Sequence, residues 1–286
     1  MNTGTALITG GRTGLLGQAL VQVMQSEGFN VLTPGRDELD LFDARQVEYT
    51  IRKNNIDLVI NTVAYTLVDQ AEENQEKAFR LNRDLPGILG QVCRENNIGL
   101  THYSTDYVFN GKKNTPYSTE DAPSPLCVYG RSKLAGEELL MRNPWDGLLI
   151  LRSAWLFGPF KTNFVSRMIQ MAESGRPLNV IHDQLGSPTC TLDLARYSLE
   201  LVKKETCGLF HVVNKGQASW CELASEALMS AGLSNRVNPV SSGEYPQQAK
   251  RPPYSVLDTS KFSMVTGITP RPWVHALREY IFQIHW

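Results

Sequence analysis

Ala6-Leu7-Ile8-Thr9-Gly10-Gly11-Arg12-Thr13-Gly14-Leu15-Leu16-Gly17, residues 6–17, is the stretch whose reading decides the fold. Its first four residues predict a short buried strand, and Leu16–Gln25 carries the apolar spacing of an amphipathic helix. Between them, Gly11, Gly14 and Gly17 form GxxGxxG. One glycine permits the tight turn, one lets a pyrophosphate approach the backbone, and one lets helix and strand pack closely. The helix start at Leu15 and Leu16 then offers N–H groups and a favourable dipole to phosphate. A glycine triplet alone serves a merely structural turn equally well. Its place between a first strand and a helix satisfies the context a dinucleotide site requires.

The pattern repeats outward from this loop. Val31–Leu32, Leu58–Asn61, Leu100–Ser104 and Leu148–Leu151 read as strands, and Ala44–Asn54, Gln75–Arg83, Pro86–Asn96 and Val128–Met141 as helices between them. Leu58-Val59-Ile60 is continuously apolar, as in a strand covered on both faces. This alternation predicts an α/β fold with a doubly wound, parallel Rossmann-type sheet. Leu209–Asn214 reads as a strand that rejoins the sheet after a helix over Leu192–Lys203. Trp220–Ala231 is helical, whereas 235–255, rich in Pro, Ser and Gln, reads as loop. The expected division is a dinucleotide-binding domain over 1–159 and 189–215, with a smaller, non-contiguous substrate-binding domain over 160–188 and 216–286.

Composition narrows the function classes. The 286 residues are 42% hydrophobic and 20% charged, with a formal net charge of −1 and no basic run to hold a nucleic acid backbone. The five cysteines have wide, unpatterned gaps and no CxxC, so neither a disulfide framework nor a zinc site is expected. The apolar stretch Leu148–Phe157 is interrupted by Arg152 and falls short of the roughly 20 residues that span a bilayer. A soluble, cytoplasmic protein with no membrane or nucleic-acid partner is expected.

The second strand ends without the acidic residue that would bind a ribose 2′-hydroxyl; Thr33-Pro34-Gly35-Arg36 follows it instead. Arg36, helped by Arg12, can pair with a 2′-phosphate, which favours NADPH over NADH, although Asp37 and Glu38 would oppose that phosphate. Asp40 and Leu41 are placed to meet the adenine end. Tyr129-Gly130-Arg131-Ser132-Lys133 is a YxxxK pair whose spacing of four puts both side chains on one helical face. An ammonium nearby, with the positive ring of an oxidised nicotinamide, would favour the phenolate. Lowering the phenol by ~3 units corresponds to ~4 kcal/mol. An ordinary surface Tyr–Lys pair has the same spacing. Ser104-Thr105-Asp106-Tyr107 follows the fourth strand, where a hydroxyl points into the ligand crevice.

Glycine loop, Ser-Thr and YxxxK, in that order, together with Ala64–Glu72, Tyr103–Gly111, Val128–Gly136, Trp155–Pro159, Asn163–Val165, Asp183–Thr189 and Arg251–Asp258, give the chain a specific likeness over nearly its whole length. It resembles the extended short-chain dehydrogenase/reductases, and among them the dTDP-4-dehydrorhamnose reductase family. The resemblance implies that Tyr129 is the proton donor, that Lys133 holds the nicotinamide ribose and that Thr105 orients a 4-keto oxygen. It implies that Asp106, Tyr107 and Trp155 touch the sugar nucleotide and that Ala64, Tyr65 and Thr66 line the cofactor cleft. Arg251 reads either as a diphosphate contact or as a salt-bridged structural arginine, and Trp155 either as a sugar platform or as core. Dehydratases of this superfamily resemble Thr-Asp-Glu where this chain has Thr105-Asp106-Tyr107, so reduction is favoured over elimination. Some relatives are similar in fold but dimerise through magnesium. Here the helix begins Gly17-Gln18-Ala19-Leu20 without a carboxylate, so no metal and a monomer or weak homodimer are expected.

Two other readings stay open. The non-catalytic regulatory β subunit of methionine adenosyltransferase is similar to this family and binds a dinucleotide. A reductase or epimerase of another nucleotide-linked ketosugar would carry the same motifs.

Overall fold

A computed structural model describes residues 4–285. Five strands, β1 (Thr5–Thr9), β2 (Asn30–Leu32), β3 (Leu58–Asn61), β4 (Gly99–Thr105) and β5 (Leu148–Ser153), are joined by a sixth over Gly208–His211. They form one sheet in the order Gly208–His211, β5, β4, β3, β1, β2, with every neighbouring pair parallel. This is the doubly wound arrangement expected from the alternation of elements.

The layers follow from period-two side-chain direction in strands buried on both faces. Ala6 and Ile8 of β1, with Leu58 and Ile60 of β3, face a core built with α1 (Leu15–Ser26). The intervening Leu7 and Val59 face the opposite layer, where α2 (Ala44–Lys53) contributes Val47 and Ile51. Two short helices, α3 (Val68–Glu73) and α4 (Gln75–Phe79), lead into α5 (Leu85–Glu95), whose Leu85, Leu89 and Val92 join that second layer. The stretch Gln75–Arg83, read from sequence as one helix, therefore ends early: Arg80–Asp84 is a π-helical turn. Helix α6 (Val128–Met141) packs on this turn.

The second half adds α7 (Phe164–Glu173), α8 (Thr191–Lys203) and α9 (Trp220–Ser230). Helix α8 packs beside α1 on the first layer. The segment read as loop over 235–255 holds a strand, Val237–Val240, paired in parallel with Leu178–Ile181. Its apolar content is too low to mark a strand by periodicity. Pairing on a small two-stranded sheet is what orders it, and Pro239 is tolerated because such a strand has a free edge. Two C-terminal helices, α10 (Ser260–Thr266) and α11 (Trp273–His285), complete the chain, and no helix among the described residues is long and apolar enough to cross a membrane.

Candidate active site

The strand order reverses between β1 and β3, and ligands bind sheets of this kind outside the carboxyl ends of the strands at such a point. The segments singled out by sequence converge on that edge. Gly10–Gly17 follows β1, Thr62–Thr66 follows β3, and Thr105–Val108 follows β4.

The glycine loop is as tight as its spacing implied. A Cβ on Gly17 would lie 2.3 Å from the Gly10 carbonyl oxygen, and one on Gly14 would lie 2.7 Å from the same atom. Helix α1 starts with no side-chain cap and no acidic residue in its first turn. The backbone at Leu15, Leu16 and Gly17 therefore offers an uncapped helix N-terminus, and this cradle fits a pyrophosphate. At the end of β2, Arg12 is already committed: its Nε donates to the Thr33 carbonyl at 2.7 Å and its Nη2 pairs with Glu38 at 2.5 Å. Glu38 also accepts the Gly35 N–H, so the carboxylate expected to oppose a phosphate is neutralised by Arg12. Arg36 is exposed and makes no ion pair among the described residues. Asp40 accepts the Phe42 N–H, and Leu41 packs against the second layer of the core.

Beyond β3 the segment Ala64–Thr66 is clamped by Asn82, which accepts the Tyr65 N–H at 2.8 Å and donates to the Tyr65 carbonyl at 3.1 Å. The same amide donates to Ser132 Oγ, between Tyr129 and Lys133, at 2.9 Å. The π-helical turn at Arg80–Asp84 carries Asn82, fully buried, at this point of the fold. Sequence reading missed Asn82, because a polar residue within a helical stretch carries no mark of burial.

Tyr129 and Lys133 lie on the first turns of α6, as the spacing required. Gly130 makes this possible: a Cβ there would lie 2.2 Å from the Tyr107 carbonyl oxygen, so only glycine lets α6 approach the 106–108 turn so closely. The Tyr129 hydroxyl is set against the Thr105 side chain, and its ring meets Tyr107 edge-on at 5.7 Å. Lys133 is 2% exposed, so this is not a surface Tyr–Lys pair. Its ammonium donates to the Tyr103 carbonyl and lies 3.4 Å from His102 Nε2. Burial pushes the Tyr129 phenol up, with the Thr105 side chain opposing, and pushes Lys133 down to about 8. The lowered phenol expected from the pair is not what this geometry gives. Desolvation of the ring dominates, and the lysine is directed at β4.

Thr105 and Asp106 are both buried, with Thr105 Oγ1 donating to Asp106 Oδ1 at 3.1 Å. Ser255 donates to the other carboxylate oxygen, and desolvation raises Asp106 to about 7. Arg251 is bidentate to Asp69 of α3, at 3.0 and 2.6 Å, and its charge acts on the Tyr107 phenol. The ion pair fixes the guanidinium beside the turn that carries Tyr107. Trp155 sits at a positive φ of 48° and stacks on Trp220 at 3.6 Å, with its indole N–H buried and unpartnered. The structure places it in packing with α9 rather than against Tyr129 or Thr105. Among the described residues no three His, Cys, Asp or Glu side chains group as a metal site.

The family described as RmlD substrate binding domain matches residues 5–285. The chain belongs to the RmlD family. Within that family it is 37% identical over 279 residues to the spore coat polysaccharide biosynthesis protein SpsK of Bacillus subtilis, covering 97% of each chain. It is 36% identical to the dTDP-4-dehydrorhamnose reductase of Aggregatibacter actinomycetemcomitans, covering 96% of this chain and 97% of that one. The crystal structure of dTDP-4-dehydrorhamnose reductase from Bacillus anthracis in complex with NADP superposes with a TM-score of 0.93 at 30% identity, covering 98% of this RmlD-family chain and 99% of that one.

Proposed function

We propose that this chain is an NAD(P)-dependent reductase of a nucleotide-linked 4-ketosugar, that its substrate is dTDP-4-dehydro-L-rhamnose, and that NADPH is its preferred reductant. The observation that carries the reading is the Tyr129 hydroxyl set against Thr105 beside a buried Lys133 at the sheet's carboxyl edge. In this reading Gly11, Gly14, Leu15, Leu16 and Gly17 hold the pyrophosphate, Arg36 the 2′-phosphate, and Asp40 and Leu41 the adenine end. Ala64, Tyr65 and Thr66 wall the cleft, and Lys133 holds the nicotinamide ribose. When bound, the reduced nicotinamide supplies the hydride to the 4-keto carbon. Thr105 orients the keto oxygen and Tyr129 delivers the proton to it, leaving the 4-hydroxyl of dTDP-L-rhamnose. Asp106, Tyr107, Trp155 and Arg251 face the nucleotide sugar, with residues 160–188 and 216–286 forming the unit that carries it.

The test follows NADPH and NADH absorbance against a panel of dTDP- and UDP-linked 4-keto-6-deoxy sugars. Oxidation of NADPH by dTDP-4-dehydro-L-rhamnose above all other sugars is expected. Preference for another sugar reassigns the substrate. No turnover with any of them, together with co-purification of an adenosyltransferase, overturns the reading in favour of a regulatory subunit.

Cofactor choice has its own test. Arg36→Ala is expected to weaken NADPH binding about tenfold or more while sparing NADH, because only the former carries the phosphate. Titration of cofactor fluorescence measures both. Equal loss for the two cofactors removes Arg36 from the 2′-phosphate site.

A further inference from the structure

Behind Lys133 lies a buried polar chain that the mechanism above does not use. Asn61, at the end of β3, accepts the Val63 N–H at 3.2 Å and the Thr9 hydroxyl at 2.8 Å on Oδ1. Val63 can only donate, so the Asn61 amide has one orientation, and its Nδ2 lies 3.1 Å from His102 Nδ1. An N–H donor facing Nδ1 requires a lone pair there. A neutral imidazole carries one proton, which must then sit on Nε2. That nitrogen faces Lys133 Nζ at 3.4 Å, within a pocket where His102 is fully buried.

We infer that His102 is a positioning residue for Lys133: Asn61 holds it as the Nε2–H tautomer, and the N–H so presented disfavours the ammonium form of the lysine. An ammonium has only donors, so it meets the imidazole donor to donor, whereas the amine offers a lone pair. The lysine thus has one acceptor, the Tyr103 carbonyl, and one opposing donor among its neighbours.

The other charged groups around Lys133 are accounted for. Glu137, one turn along α6, favours the ammonium, but its carboxylate is bound by Arg152 of β5. The Tyr103 hydroxyl is bonded to Ser198 of α8. Asp106 and Tyr107 act on Tyr129. On α3, Asp69 is held by Arg251 and Glu72 by the Val128 N–H. The neutral groups in direct contact with the amine are the Tyr103 carbonyl, which accepts from it, and His102.

The inference rests on the reductase reading for its kinetic consequence alone, because the tautomer is measurable without turnover. Long-range proton–nitrogen spectra of the full chain with 15N-labelled histidine, with His102 assigned by its loss in His102→Gln, are expected to show a protonated Nε2 and a bare Nδ1. His211 serves as internal contrast, since its Nδ1–H donates to the Tyr117 carbonyl. Asn61→Asp, which places a carboxylate oxygen opposite Nδ1, should invert the His102 pattern. Both variants give the lysine an acceptor, so the alkaline limb of kcat/KM should move upward by about one pH unit, a tenfold change in acidity. A role confined to packing would alter thermal stability and leave that limb in place. A protonated Nδ1 or an imidazolium at His102 in the wild-type chain overturns the inference. So does an unmoved limb in His102→Gln when the wild-type chain turns over. Absence of ketosugar turnover in the wild type would count against the proposed function, with the spectra still deciding the tautomer.

Discussion

Tyr129→Phe is expected to lower ketosugar turnover by ~10²–10⁴, the usual worth of a positioned proton transfer. The substitution removes one oxygen and leaves the rest of the site standing. The ring keeps its edge-on contact with Tyr107 and its packing beside Tyr65, Ala71 and Val128. Thr105 retains Asp106 and the Tyr107 N–H. NADPH affinity, read by fluorescence, should therefore hardly change. Lys133→Met should behave differently, since the proposal has the lysine hold the nicotinamide ribose, and should damage affinity and rate together. A regulatory subunit would show no ketosugar turnover to lose. Near-wild-type reduction by Tyr129→Phe would overturn the mechanism.

The wild-type pH profile follows from the same site. Lys133, pushed down to about 8 by burial, is an ammonium below that pH and an amine above it. The ammonium is the stronger donor to the ribose that the proposal has Lys133 hold, so kcat/KM is expected to fall as pH rises through about 8. A rate that climbs steadily to pH 10 would show that the lysine charge is not used.

The second large effect concerns stability. Arg152 and Glu137 form an ion pair at 2.6 Å with side chains 2% and 0% exposed, and Arg152 also stacks over Phe109 and lies 3.5 Å from His211 Nε2. Burial and the nearby guanidinium push His211 down to about 3, so it stays neutral and accepts from Arg152 through the protonated tautomer fixed by Tyr117. Glu137→Ala leaves the guanidinium buried without its counter-charge, which should cost about 3–5 kcal/mol. For a chain of this size that corresponds to a fall of roughly 10 °C in thermal midpoint. Replacing both partners, Glu137→Leu with Arg152→Met, should recover much of the loss, because the desolvation of two charges disappears with them. Calorimetry of the two variants measures the difference. A double variant as unstable as Glu137→Ala would show that packing, and not the orphaned charge, governs the site.

Several features of this protein were legible in the residues themselves. The parallel sheet follows from the alternation of short apolar and longer amphipathic runs, because side-chain period and burial are local properties of the chain. The glycine loop and the Tyr129–Lys133 spacing are local for the same reason. Gly14 and Gly17 must be glycine because the Gly10 carbonyl lies against them, and four residues are about one turn of helix. The tertiary structure alone decided what depends on residues distant in sequence. Asn82 clamps Tyr65 across 17 residues and Ser132 across 50, and Ser255 reaches Asp106 across 149. Val237–Val240 is a strand only because Leu178–Ile181 lies beside it. Asp69 holds Arg251 across 182 residues, and Trp220 stacks on Trp155 from another helix. The direction of the Tyr129 and Lys133 shifts belongs with these, since desolvation is set by what the whole fold packs over a side chain, and no spacing within α6 encodes it.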